Sequence, residues 1–214
     1  MARQPASADA LIGGDFHDAF PVSRDTLTVL LGDVEGKGIP AAGLTETVRS
    51  AARALALSAS SPSYVLERLN ELLLHDESQL CTALFVEIRR GSGSFAIASA
   101  GHPAPLHLRP DGSVEQLPVA PAAPLGAFPD TDFLSSSGHL DPGDFLILFT
   151  DGVIDARRDG AFFTEAGAMA AVRGCAGLSP DEIAERLRDA VREYADQLRD
   201  DVHIMVVGRD AASA

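Results

Sequence analysis

Hydrophobic positions along the chain fall into two rhythms. Val65, Leu66, Leu69, Leu72 and Leu73 share one helical stripe, Ser61 stands where a cap belongs, and Pro62 occupies the first helical position, so the pattern predicts a helix from Pro62 to about His75. Ile183, Leu187, Val191, Tyr194 and Leu198 recur at steps of three and four, and Ser179 with Glu182 matches a capping box, which predicts a helix from Pro180 to about Leu198. An Ala- and Leu-rich run predicts a third from Gly38 to about Ala59, and a shorter helix is expected near Glu165 to Cys175.

Strand-like apolar runs cover Thr26–Leu31, Thr82–Arg89, Ser94–Ser99, Pro105–Arg109, Ser113–Leu117, Asp144–Thr150 and Val202–Val207. Asp111-Gly112 is a tight-turn signal between two of them, and Gly91 to Gly93 is a second. Hairpins mean antiparallel pairing, and helices that arrive in blocks outside the strands mean an α+β arrangement with helices packed on sheets. The stretch Ala120 to Ser137 reads as a long surface connection, and the chain from Asp210 onward as a frayed tail.

Composition narrows the class. The 214 residues suit a single domain, and 46% hydrophobic with 22% charged residues excludes intrinsic disorder. Against 17 basic side chains stand 31 acidic ones, a net charge of −14, which argues against nucleic acid or an anionic membrane as partner. The apolar run Phe145 to Phe149 is too short to span a bilayer, and the first twenty residues lack a secretory pattern, so the expected location is cytoplasmic. Cys81 and Cys175 make no disulfide framework.

The candidate chemistry lies in where aspartates fall. Asp15 stands in GGDFHD, Asp33 in LLGDVEGKG, Asp151 in ILFTDG, and Asp200-Asp201 in RDDVHIMVV. Asp33 and Asp151 each follow an apolar strand and adjoin glycine, where backbone can approach a ligand closely. Carboxylates at four strand edges suit a hard divalent cation. An Asp beside Gly at a strand end is also a common turn or cap residue, so spacing alone leaves both readings open.

GGDFHDAF, GDVEGKGIPAA, SAGHPAP, PLGAF, GDFLILFTDGVIDAR and DDVHIMVV, in that order, resemble the motifs of the PPM metal-dependent protein phosphatases, in particular the bacterial branch of the stage II sporulation phosphatase E and the stress sigma-factor phosphatases. The resemblance runs from about Ala6 to Gly208 and treats 1–214 as one domain, with a first strand shortened to roughly ARQPA and no sensor domain before it. It implies two stacked antiparallel sheets flanked by antiparallel helices. It implies hydrolysis of phosphoserine or phosphothreonine on a regulatory protein, an anti-sigma-factor antagonist, with two Mn²⁺ or Mg²⁺ ions. By position, Asp33 resembles the aspartate bridging both metals, Val34 offers a backbone carbonyl, Asp15 lies on the second-metal side, and Asp151 and Asp200 resemble ligands of the first metal. Asp18, Lys37 and Asp201 are expected behind these ligands or on the phosphate. GGDF also resembles the opening of the diguanylate cyclase signature, but His17 and Asp18 follow it, and the later motifs would be unexplained.

Other residues carry competing readings. Glu35 is either a proton donor to the leaving oxygen or an ordinary solvent-facing glutamate, and Lys37 either meets phosphate or is a solvated loop lysine. His17 stands where the branch commonly has Tyr, His102 is expected to fix a loop, and Cys81 to be a small core residue. Two rival functions stay open, a hydrolase of small phosphate esters and a non-catalytic binding module of the same fold. So does a homodimer or a separate sensor partner.

Overall fold

The chain builds β1 (Ala2–Gln4), β2 (Asp15–Pro21), β3 (Thr26–Val34), α1 (Ile39–Ala56) and α2 (Pro62–Leu74), then β4 (Cys81–Arg89), β5 (Ser94–Ala100), β6 (Leu106–Leu108), β7 (Val114–Gln116), β8 (Ser136–His139) and β9 (Phe145–Phe149). After these come α3 (Asp151–Ile154), the short strands β10 (Arg157–Arg158) and β11 (Ala161–Phe162), α4 (Thr164–Val172), α5 (Pro180–Tyr194) and β12 (Val202–Gly208). This computed structural model describes residues 14–59, 61–75, 79–198 and 200–209, with the backbone of 2–4. The tail expected to fray from Asp210 lies outside the described residues.

Contacts divide the chain into two compact units, Leu11–His102 with Pro118–His139, and Met1–Ala10 with Pro103–Leu117 and Leu140–Ala214. The first holds an antiparallel sheet in the order β2-β3-β4-β5-β8, and the second one in the order β1-β12-β9-β6-β7. The fold is a mixed α+β fold of antiparallel sheets and helices, as the hairpin signals require. Both expected hairpins form, β4–β5 around Gly91–Gly93 and β6–β7 around Asp111-Gly112.

In the β2–β5 unit, Val48, Ala52 and Ala56 of α1 and Val65, Leu66, Leu69 and Leu73 of α2 pack with Phe16, Phe20, Leu30, Val34, Ala83, Phe85 and Ala98 of the sheet. The expected cap is present at α2, where Ser61 Oγ accepts from Tyr64 N at 3.2 Å. β2 has no simple apolar alternation because Asp18, 6% exposed, sits between Phe16 and Phe20 on the face turned to that core. β8 is likewise illegible as Ser-Ser-Gly-His and becomes a strand by pairing with β5, so its first residues, Ser136 and Ser137, leave the expected long connection.

In the β9–β12 unit, Ile183, Ala184, Leu187 and Val191 of α5 and Ala168 and Val172 of α4 cover Leu106, Leu108, Ile147, Phe149, Val202 and Ile204. The capping box is complete: Ser179 N donates to Glu182 Oε2 at 2.8 Å and Glu182 N to Ser179 Oγ at 3.4 Å. α5 ends at Tyr194, four residues before the apolar pattern does. Ala195 is extended, Asp196 N donates to Arg157 O at 2.9 Å, and Arg158 takes the last helical carbonyls, so the β10–β11 hairpin terminates the helix.

Removing this packing and this cap should have separable effects. Leu187→Ala empties a fully buried site and should lower stability by about 2–5 kcal/mol. Ser179→Ala should cost only about 1 kcal/mol. Chemical denaturation of both variants measures the difference, with an unchanged denaturant slope if only stability moves.

Candidate active site

The first carboxylate pair comes from strand register. Asp15 opens β2 and Asp33 lies next to last on β3, and the two face each other directly as cross-strand partners. Asp15 is 9% exposed, Asp33 half-buried. Like charges at directly opposed positions destabilise a sheet. The backbone is drawn tight beside them: Val34 N donates to Gly14 O at 3.1 Å, and a Cβ on Gly14 would lie 2.6 Å from Asp33 Oδ1 and overlap the Val34 carbonyl. Only glycine fits there, which explains the Gly before Asp15.

Alternation along the strand separates the neighbouring candidates. Asp18 lies on the opposite face of β2 from Asp15. Its Oδ2 accepts from Arg53 Nε at 2.5 Å and its Oδ1 from Arg53 Nη2 at 2.7 Å. Burial pushes the Asp18 carboxyl up, but this two-point bond and the charges of Arg53 and Arg49 outweigh it and leave the group below its ordinary range. Asp18, expected behind the ligands or on the phosphate, lies on the face of β2 turned to α1, and Arg53 occupies it there. Glu35 and Lys37 are exposed in the loop between β3 and α1, with Glu35 N donating to Leu80 O at 2.8 Å. Val34 is buried at the end of β3.

The second pair comes from the junction of β9 with β12. Thr150 is fully buried between β9 and α3; its N donates to His203 O at 3.1 Å, and its Oγ1 accepts from His203 N at 3.1 Å. This reciprocal bond locks the end of one strand to the start of the other, bringing Asp151 and Asp200 together. Gly152 allows it, since a Cβ there would overlap the Asp201 carbonyl oxygen. Burial raises the Asp151 carboxyl above its ordinary range, and the negative charges of Asp200 and Asp155 add to the rise. Asp200 is exposed, while Asp201 is 5% exposed and its N donates to Asp200 Oδ1 at 2.9 Å. Asp201 thereby orients its neighbour through the backbone. Gly152, Asp155, Ala156, Arg157 and Asp200 line a recess of about 130 Å³.

Asp155 and Arg157 are the residues that sequence reasoning missed. They stand in the quoted run TDGVIDAR, but nothing in its spacing says that α3 is a single turn that returns them to Asp200. Among the described residues no group of three or more His, Cys, Asp or Glu side chains is placed to hold a metal ion. The carboxylates come two to a unit, and each pair fits a divalent cation by its donor atoms: hard oxygens, with a mutual repulsion that a cation would relieve. His102 fixes a loop as expected, with Nδ1 3.0 Å from Thr82 Oγ1 and its N donating to Ser99 Oγ at 3.1 Å. Burial, then the charge of Asp33, pushes the Cys81 thiol far up, so it is an inert core residue.

Two outcomes follow. Asp33→Asn should raise the melting temperature of metal-free protein by about 1–4 °C, by relieving the cross-strand repulsion, and should show a smaller response to Mn²⁺ than the wild type. Differential scanning calorimetry with and without Mn²⁺ checks both. Asp18 has a folded-state pKa below its unfolded value near 3.8, so its contribution is present above that value and disappears as pH falls through the lower one. Arg53→Met should therefore show a shallower loss of stability than the wild type on acidification below about pH 4, measured by melting temperature against pH.

Comparison with known proteins identifies the family. The chain is 29% identical to the phosphoserine phosphatase RsbU of Bacillus subtilis (strain 168) over 202 residues, covering 92% of this chain and 60% of that relative's length. The PP2C domain of SiaA from Pseudomonas aeruginosa superposes with a TM-score of 0.82 at 25% identity, over 98% of this chain and 85% of that one. RsbX, solved in complex with magnesium, shares the fold at a TM-score of 0.71 and 16% identity, over 96% of this chain and 91% of that one. Over residues 23–210, a span that takes in Asp33, Asp151 and Asp200 and begins after Asp15, the chain matches the family of stage II sporulation protein E (SpoIIE), and it belongs to that family.

Proposed function

We propose that this chain is a metal-dependent serine/threonine protein phosphatase of the RsbU and SpoIIE type, and that 1–214 is one catalytic domain. The observation that carries the reading is the in-register confrontation of Asp15 with Asp33, an arrangement that is unfavourable for a sheet and suited to a divalent cation. In this reading Asp15, Asp33 and the Val34 carbonyl are ligands to Mn²⁺ or Mg²⁺, and so are Asp151 and Asp200; two ions are proposed in all. When bound, such ions supply a water of lowered pKa and neutralise phosphoryl oxygens. Asp201 supports Asp200 through its backbone bond, and exposed Lys37 is available to phosphate.

A protein substrate is favoured over a small ester. The recess beside Asp200 measures about 130 Å³, well short of the roughly 300 Å³ at which small-molecule pockets begin. The name of RsbU, a phosphoserine phosphatase, supports phosphoserine as the target, and the resemblance to stress sigma-factor phosphatases supports an anti-sigma-factor antagonist as the protein bearing it. No helix among the described residues is long and apolar enough to cross a membrane, which agrees with a cytoplasmic place of action.

The test is phosphate release from an aryl phosphate and from phosphorylated antagonist proteins of the source genome. Turnover should need Mn²⁺ or Mg²⁺, stop with chelator, and fall at least tenfold in Asp33→Asn while the circular dichroism spectrum is kept. Aryl phosphate turnover with no antagonist dephosphorylated would favour the small-ester hydrolase. Glu35→Gln, run on both substrates, separates the two readings of that residue: a proton donor is needed for the serine leaving group by a factor of about 10²–10⁴ and hardly for a phenolate.

A further inference from the structure

Arg157 and Arg158 are adjacent, and the fold uses them differently. Arg158 Nε donates to Tyr194 O at 2.7 Å, its Nη2 donates to the Glu193 carbonyl, and its guanidinium lies over the Tyr194 ring at 4.9 Å. Those contacts commit it to the end of α5. Tyr194 Oη in turn donates to the carbonyls of Ala161 and Phe162, and Asp159 N donates to Asp196 Oδ2 at 2.8 Å, so the hairpin is anchored without a hydrogen bond from the Arg157 side chain.

Arg157 is positioned by its backbone and by one aromatic ring. It pairs with Phe162 across β10 and β11, and its carbonyl accepts from Asp196 N. Its guanidinium lies over the Phe162 ring, 4.1 Å from the centroid, and Phe162 is 43% exposed. Among the described residues Arg157 makes no ion pair, although Asp155 and Asp200 line the same recess. A guanidinium over an aromatic face keeps edge N–H donors available, and these match paired oxygens of a phosphate or carboxylate. Arg157 is the only cation among the five residues lining that recess, in a chain whose net charge of −14 repels anionic substrates at long range.

We infer that Arg157, seated over Phe162, is a substrate-binding residue that takes an oxyanion of the phosphorylated substrate, either the phosphoryl oxygens or a carboxylate next to the phosphoserine. This rests on the phosphatase reading above. The role differs from that of Arg158, which holds the hairpin to α5 and touches no substrate.

The experiment compares wild type with Arg157→Met, Arg157→Lys, Phe162→Leu and Arg158→Met in the presence of Mn²⁺. The ligands are an aryl phosphate, inorganic phosphate as inhibitor, and two phosphoserine peptides, one flanked by Asp and Glu and one by Asn and Gln. Arg157→Met should keep the wild-type melting temperature and raise KM about tenfold for the ligand that carries the recognised oxyanion. Arg157→Lys should recover part of that loss, and Phe162→Leu should fall between. A rise in KM for every substrate and in the inhibition constant of phosphate identifies the phosphoryl group. A rise confined to the acidic peptide identifies the neighbouring carboxylate. Unchanged KM throughout overturns the inference, and so does a joint fall in kcat and melting temperature like that expected of Arg158→Met. Wild-type protein with no Mn²⁺-dependent turnover would instead remove the phosphatase reading, and the inference with it.

Discussion

Two carboxylates set opposite each other on neighbouring strands repel, yet β2 and β3 hold Asp15 against Asp33 through a register that runs unbroken to Pro21 and Leu27. What enforces it is the apolar set one pleat away. A one-residue slip would turn Phe16, Phe20 and Leu30 off the core they share with α1 and α2, a loss far larger than the repulsion of one charged pair. The hydrophobic core therefore holds the two carboxylates opposite each other against their mutual repulsion.

The other pair is built by a different device with the same effect. No shared strand face opposes Asp151 to Asp200. A fully buried threonine bonded both ways to His203 joins the two strand ends, and the missing Cβ of Gly152 lets α3 begin against the Asp200-Asp201 backbone. The first device sets both carboxylates on paired strands, whereas Asp151 opens a single-turn helix and Asp200 stands in the loop before β12, where its Oδ1 accepts from Asp201 N.

Cations are scarce in this chain, and their placement divides along clear lines. Arg53 neutralises a buried aspartate within a core, Arg158 satisfies carbonyls that end a helix, and Arg157 lies over the Phe162 ring.

The amino-acid sequence by itself determined the helices with their caps, the hairpins at Gly91–Gly93 and Asp111-Gly112, and the α+β class, because periodicity, capping and turn chemistry act over a few residues. It also carried the positions of the four aspartates as motifs, though not their geometry. Tertiary structure decided the rest. β2 stayed hidden because Asp18 interrupts its apolar face with a buried charge whose partner, Arg53, lies 35 residues away. α5 stopped short of its apolar pattern because a hairpin more than thirty residues earlier claims its last carbonyls. Asp155 and Arg157 joined the recess because one turn of helix carries the chain back on itself. In each case the deciding partner is remote in sequence, where local patterns hold no information.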